Sequence, residues 1–280
     1  MGAPLGGRGR DSQGRAMTRR TFASTIASGL TAARVATAAA KKLNLGIGTY
    51  TYHSLSIDDM IVQLKRLQIR EIEMSRGEFM LFSKPAPETF QSVKKKLDGA
   101  GIRCVSYYTA TIKDDTDLDN AVRFAALLGA RNVTGDATGD ILKRIDERLT
   151  REGLTFGIHN HYFKQKFAYE SPEDVLRALS GLSKTMGASL DVGHIASCGY
   201  DTVDAVRKLA PHLKMVHLKD VEAAGGEVNV LLGKGIARIP EVMSELRKVD
   251  YRGLVAIEYE HQGPVEEDVR EEVEYARKLL

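Results

Sequence analysis

The sequence predicts one α/β domain of the (β/α)₈ barrel class, and three observations carry that expectation. Eight short β-rich runs alternate with amphipathic helical stretches. The repeat is roughly thirty residues per βα unit, close to the period of a barrel of about 250 residues. Polar residues gather at the C-terminal ends of the later runs, the end where barrel active sites form. A doubly wound open sheet is the structural alternative. It calls for a glycine-rich first turn, and Gly46-Ile47-Gly48 lacks the third glycine of a dinucleotide fingerprint.

Taken in order, the predicted strands are 43–50, 71–74, 102–107, 132–135, 155–160, 188–192, 214–218 and 254–258. Behind the first, 58–67 shows apolar spacing at Ile61, Leu64 and Leu67, with Ser56 placed to cap a helix. Ser171-Pro172-Glu173-Asp174 is a helix start by serine cap, first-turn proline and first-turn acids. Pro240 opens a helix over 241–248 by the same logic, and 265–280 closes the ring. Gly101, Gly129, Gly153 and Gly253 stand before strands, where a helix must stop and turn back.

The chain has 280 residues and a formal net charge of +3, but that charge is unevenly placed. Residues 1–40 hold Arg8, Arg10, Arg15, Arg19, Arg20 and Arg34 against Asp11 alone, which leaves the remaining 240 residues with a net charge of −2. A basic overall balance therefore does not argue for a nucleic-acid partner. Thr18-Arg19-Arg20-Thr21-Phe22, a weakly apolar stretch to Ala40 and the small residues Ala38-Ala39-Ala40 resemble a twin-arginine (Tat) export signal. Met17 stands where such signals start, so residues 1–16 read as an over-long start. The expectation is a leader over 1–40, a catalytic domain over 41–280, and a periplasmic or extracellular protein. The apolar stretch is too short and too poor in large aliphatic residues to stay inserted in a membrane. Cys104 and Cys198 do not make a disulfide framework and read as small apolar packing residues.

The chemistry concentrates in the second half. The fifth strand ends His159-Asn160-His161, the sixth Asp191-Val192-Gly193-His194, the seventh His217-Leu218-Lys219-Asp220 and the eighth Glu258-Tyr259-Glu260-His261. Five of the seven histidines thus fall at four strand ends. Histidine and carboxylate converging from separate strands suit one divalent ion such as Mn, Zn, Co or Fe. His159, Asp191, His217 and Glu258 would supply two nitrogens and two oxygens and leave positions open for substrate.

The ordered signatures Asp191-Val-Gly-His194, His217-Leu-Lys-Asp220, Leu232-Gly-Lys-Gly235 and Ile257-Glu258 resemble those of the xylose isomerase-like sugar phosphate isomerase/epimerase superfamily, across essentially all of residues 41–280. That family is similar in fold to endonuclease IV, tagatose epimerase and hydroxypyruvate isomerase. The resemblance implies Asp191, His217 and Glu258 as metal ligands and His194 at a substrate hydroxyl or developing oxyanion. It implies a sugar isomerase or epimerase that acts on a ketose or keto-sugar through an enediolate held by the metal. One departure matters: epimerase members usually end the fifth strand in Glu-Asn-His, and this chain has His159-Asn160-His161. A histidine keeps a ligand but removes one of two opposed glutamate bases. The second proton carrier must then be His161, Lys219 or Glu73, or the reaction is one-sided, as in elimination of water from a keto-sugar or inosose by a dehydratase-type lyase.

The remaining candidates are open on the residues alone. Glu73 at the end of the second strand reads as a general acid/base or as a rim carboxylate paired with Arg76. His53 reads as a substrate contact or a loop histidine, and Lys219 as an enolate partner or a counter-ion. Of Tyr107 and Tyr108, one faces the bowl and the other packs outward; Tyr107 is taken as the substrate residue. Lys94-Lys95-Lys96 is a solvated helix face. Gly233-Lys234-Gly235 reads as a phosphate approach or as the turn into the Pro240 helix. A small carbohydrate is the expected partner, without nucleic acid or stable membrane insertion, and related barrels often form homodimers. An abasic-site endonuclease would need more ligands than this, and a non-catalytic carbohydrate-binding barrel would hold no tight metal.

Overall fold

A computed structural model describes residues 42–162, 168–261 and 263–280. The expected leader lies outside the described residues. Eight parallel strands close into a barrel: β1 (Asn44–Gly48), β2 (Glu71–Met74), β3 (Arg103–Thr111), β4 (Asn132–Asp136), β5 (Thr155–His159), β6 (Met186–Asp191), β7 (Leu213–Leu218) and β10 (Leu254–Ile257). The ring shuts where β1 pairs with β10, Ile47 opposite Ile257, and with β2, Ile47 opposite Ile72. A two-stranded flap, β8 (Asp220–Val221) and β9 (Asn229–Val230), rises from the end of β7.

The helices are α1 (Ile57–Arg66), α2 (Pro87–Gly99), α3 (Asp115–Leu128), α4 (Ile141–Glu152), α5 (Pro172–Leu179), α6 (Val192–Ser197), α7 (Thr202–Leu209), α8 (Ile239–Lys248) and α9 (Glu266–Lys278). Ser56 caps α1 by accepting the Asp59 amide. Ser171 and Asp174 form a reciprocal capping box on α5, which satisfies two amides that a helix start leaves bare. Gly129 and Gly153 end α3 and α4 with φ of 73° and 67°, a conformation that glycine reaches without the Cβ penalty. The sixth crossover differs from the expected single helix. Short α6 follows Asp191 directly, and α7 starts after Asp201 accepts the amides of Val203 and Asp204.

The main core lies between strands and helices. Ile47, Ile72, Phe156, Leu190, Val216 and Ile257 are fully buried there. Beside β3, Phe90 stacks on Phe124 at 4.1 Å and meets Tyr107 edge-on at 5.6 Å. The expectation for β3 was short by four residues. The strand runs on to Thr111 through a register shift between Tyr108 and Thr111, with Ala110 at φ 61°. Cys104 is a buried free thiol, and Cys198 Sγ donates to the His161 carbonyl at 3.5 Å.

One buried carboxyl works against stability. Glu272 on α9 is 2 % exposed, and its Oε2 finds no hydrogen-bond partner among the described residues. Burial pushes its carboxyl well above the usual range, with a backbone bond to Leu232 acting weakly the other way. A carboxyl with a raised folded-state pKa favours the folded chain at low pH, and that contribution is lost as pH climbs from about 4.3 through the folded value. Glu272→Gln is expected to raise stability by about 1–2 kcal/mol at pH 8 and by little at pH 4. Thermal melts at the two pH values check this, and an equal shift at both would contradict it.

Candidate active site

Strand parity brings the polar ends together. Ile158, Leu190, Val216 and Ile257 face the helices, so the next residues, His159, Asp191, His217 and Glu258, turn into the barrel. All four are buried, at 4 %, 0 %, 1 % and 6 % exposure. They sit at or below a cavity of about 510 Å³ at the C-terminal mouth.

His159, Asp191 and His217 each present a ligand atom within 4.8 Å of the other two. Among the described residues His159 Nδ1 is buried without a hydrogen-bond partner, while Asp191 Oδ2 lies 3.1 Å from Lys219 Nζ and His217 Nδ1 lies 3.1 Å from Glu258 Oε2. A buried nitrogen left without a partner, as His159 Nδ1 is, carries a desolvation cost of about 1–3 kcal/mol. A shared divalent ion removes that cost, and two imidazoles with a carboxylate suit Mn, Zn, Co or Fe. Glu258 adjoins this trio: its Oε2 lies 3.1 Å from His217 Nδ1 and 3.2 Å from Lys219 Nζ.

Charge and tautomer are set by the neighbours. Burial together with His161, His217 and His194 holds His159 well below its ordinary value, so it is a neutral donor. Burial opposes a charge on Glu258, but His217 and Lys219 outweigh it and hold the carboxyl well below the carboxylate range. Burial likewise opposes a charge on Lys219, and Asp191, Glu258 and Glu260 overcome it. His217 Nε2–H donates to Glu73 Oε2 at 2.7 Å, and Nδ1 faces Glu258 Oε2 at 3.1 Å. Burial opposes a charge on the imidazole, but Glu258 and Glu73 hold it well above its ordinary value, so an ion bound at Nδ1 would take the place of a proton.

That contact corrects the reading of Glu73. It is 0 % exposed, beneath the bowl rather than at the rim, and also accepts from Ser106 and Thr134. Arg76 pairs with Glu78 instead and donates to the carbonyls of Tyr52 and Leu55. Glu73 holds His217 in place and is not among the described residues that line the cavity.

Lys219 is also enclosed, at 1 % exposure. Its Nζ reaches Glu260 at 2.6 Å, Asp191 at 3.1 Å and His194 Nε2 at 3.1 Å. His194 Nδ1–H donates to the Asn160 carbonyl at 2.9 Å, so Nε2 is the acceptor facing Lys219. Burial, first of all, keeps His194 below its ordinary value. Gly193 is required here: a Cβ would lie 2.6 Å from the Lys219 stem. His161 Nε2 is held by Asp136 at 2.9 Å, and both line the cavity.

Two substrate assignments change. Tyr107 points away from the bowl, donates its hydroxyl to the Phe79 carbonyl at 2.7 Å and packs among phenylalanines; Tyr108 lines the cavity instead. His53 stacks on Tyr50 and hydrogen-bonds its carbonyl, and it is Tyr50 that lines the cavity. Parity from His159 does not reach either position, because each follows its own strand. Asp136, Asn160 and Glu260 were not assigned from the sequence. Asp136 stands one residue past the predicted end of the fourth strand. The Asn160 side chain clasps the Asp191 backbone, donating to its carbonyl at 3.0 Å and accepting its amide at 2.9 Å.

Gly233-Lys234-Gly235 is not a free anion cradle. The amides of Gly233, Gly235 and Ala237 donate to the Asp220 carboxylate at 2.9, 3.0 and 2.9 Å. The loop is the turn toward α8.

Residues 62–279 match the family described as xylose isomerase-like TIM barrel, and the chain belongs to that family. Among curated protein sequences no match was found. Solved structures share the fold at low identity. The probable 3-DHS dehydratase AsbF from Bacillus anthracis is 14 % identical over 84 % of this chain and 98 % of its own, with a TM-score of 0.68. A D-psicose 3-epimerase solved in the presence of D-fructose is 14 % identical over 84 % and 99 %, with a TM-score of 0.67. A protein from Parabacteroides distasonis is 23 % identical over 84 % and 98 %, with a TM-score of 0.63.

Glu73→Gln is expected to weaken divalent-ion binding by about tenfold to hundredfold without loss of fold, because it removes the carboxylate behind His217. Calorimetric titration with Mn²⁺ alongside far-ultraviolet dichroism measures this. Unchanged affinity would reduce Glu73 to a packing residue.

Proposed function

We propose that this chain is a metal-dependent sugar isomerase or epimerase that moves a proton at a carbon beside the carbonyl of a ketose or keto-sugar. The observation that carries the reading is the meeting of His159, Asp191 and His217, buried side chains each with a ligand atom within 4.8 Å of the other two, below the cavity at the barrel mouth. A divalent ion bound by these residues and Glu258 supplies Lewis-acid polarisation of the carbonyl.

The chain's own groups do the rest. Glu258, ionised beside His217 and Lys219, is the base placed to accept a proton from carbon. His161, oriented by Asp136, is the second proton carrier on another wall. Lys219 stays charged among its carboxylates and offsets them rather than reacting. Tyr50 and Tyr108 give the cavity aromatic walls for a sugar ring.

A second reading is a dehydratase-type lyase on a keto-sugar. It is favoured by His159, which stands where the resemblance expects a glutamate, so that the proton shuttle is unequal on its two sides. The name of one structural neighbour, a dehydratase, is consistent with it. The Arg19-Arg20 leader supports export, and with it unphosphorylated sugars as substrates. The commitment of the Gly233 and Gly235 amides to Asp220 agrees with that.

Protein purified without chelator is expected to carry close to one divalent transition ion per chain by elemental analysis. It is expected to exchange a carbon-bound hydrogen of a ketose for deuterium in heavy water. Glu258→Gln should lower that exchange by about 10²–10⁴-fold with the fold retained. Undiminished exchange in this variant would remove Glu258 from the mechanism, and a chain that takes up no ion on reconstitution would point to a carbohydrate-binding barrel.

A further inference from the structure

The bowl is not the only space at this end of the barrel. A second cleft of about 710 Å³ lies between the segment after β2 and the segment that joins β3 to α3. The two spaces share walls at Phe82, Ala110 and Thr111, so a ligand seated in one can extend into the other. Each alone has the size of a small-molecule site.

Three features at the junction show that it is built into the fold. Phe82 is 66 % exposed, a large aromatic face left in solvent at the shared lip. Ala110 holds φ 61° at the β3 register shift, a left-handed conformation that alanine adopts only when its surroundings enforce it. The enforcement is visible opposite: a Cβ on Gly135 would lie 2.3 Å from the Ala110 carbonyl oxygen, so a glycine there admits the kink. Thr109 Oγ1 lies 3.0 Å from the carbonyls of both Ala110 and Thr134 and pins the strand on either side. The kink turns Thr111 from the strand into the seam between the spaces.

The cleft's charges are mixed. Lys84, Lys113 and Arg123 line it; none of them is in an ion pair among the described residues. Asp114 and Asp117 line it as well, but Asp114 caps α3 and Asp117 accepts the Lys113 amide. Such a surface offers donors to hydroxyl oxygens without the one-signed field an anionic group would call for. An exposed aromatic ring beside mixed polar groups suits the apolar face and hydroxyl edge of a sugar.

We propose that this cleft is a second substrate subsite, and that the enzyme acts on a ketose or keto-sugar carrying a second glycosyl ring, which stacks on Phe82 and reaches toward Asn120 and Arg123. This rests on the carbohydrate reading of the bowl.

The test uses the Mn²⁺-loaded full chain and four ligands: D-fructose, and the glucosyl-fructoses turanose, leucrose and isomaltulose, which add one ring at different positions. Calorimetry is expected to show at least one disaccharide binding tenfold or more tightly than fructose. Phe82→Ala should cut that advantage to threefold or less, and Asn120→Ala, in the cleft alone, should reduce it while leaving fructose binding unchanged. Disaccharides that bind no better than fructose would overturn the subsite, as would variants that leave the advantage intact. Failure of fructose and disaccharides alike would overturn the carbohydrate reading itself and the subsite with it, so the two failures are told apart.

Discussion

Among the described residues of this barrel, carboxylates crowd around a single buried ammonium. Asp191 and Glu258 are desolvated, Glu260 reaches in from the edge, and Lys219 lies within 3.2 Å of all three. A buried carboxylate without a partner costs several kcal/mol, so the arrangement stands only because positive charge is placed among these groups. Lys219 supplies one unit, and His217, held well above its ordinary value by Glu258 and Glu73 against its burial, supplies another. These carboxylates, with Glu73 behind His217, still outnumber the positive groups, and the divalent ion proposed above would meet the surplus.

Packing holds this electrostatic arrangement in place. The Lys219 stem passes over Gly193, where any side chain would collide with it. Asn160 ties the end of β5 to the backbone of Asp191, so two adjacent donor strands cannot slide against each other. The Asp220 carboxylate gathers the loop that follows β9 by accepting three of its amides. Each motif glycine or acid thus answers a specific steric or hydrogen-bonding need next to the site.

Much of the architecture was legible because period-two and helical patterns are local. Ser56, the Ser171-Pro172 start and the glycine stops mark helix ends through bonds that span a few residues. Strand-end histidines and acids were legible for the same reason: once a strand is placed, its parity assigns a direction to His159, Asp191, His217 and Glu258. Errors arose where parity was undetermined or interrupted. Tyr107 and Tyr108 are adjacent, and nothing local says which faces inward; the answer lies in the phenylalanines that Tyr107 meets. Asp136 was lost by one residue at a strand end. Glu73 had the right direction but the wrong depth, since depth in a barrel depends on strand stagger.

By itself, then, the sequence determined the repeat, the closure into eight βα units, and the set of polar residues that collect at one end. These follow from hydrophobic period and short-range capping. The tertiary structure decided which of those residues meet at one point and which stand behind them. It turned Glu73 into the partner of His217, enclosed Lys219, placed Tyr108 and Tyr50 at the wall, and opened a second cleft across the Ala110 kink. Those outcomes depend on distances between strands far apart in the chain, set by barrel shear and side-chain volume, and no local pattern encodes them.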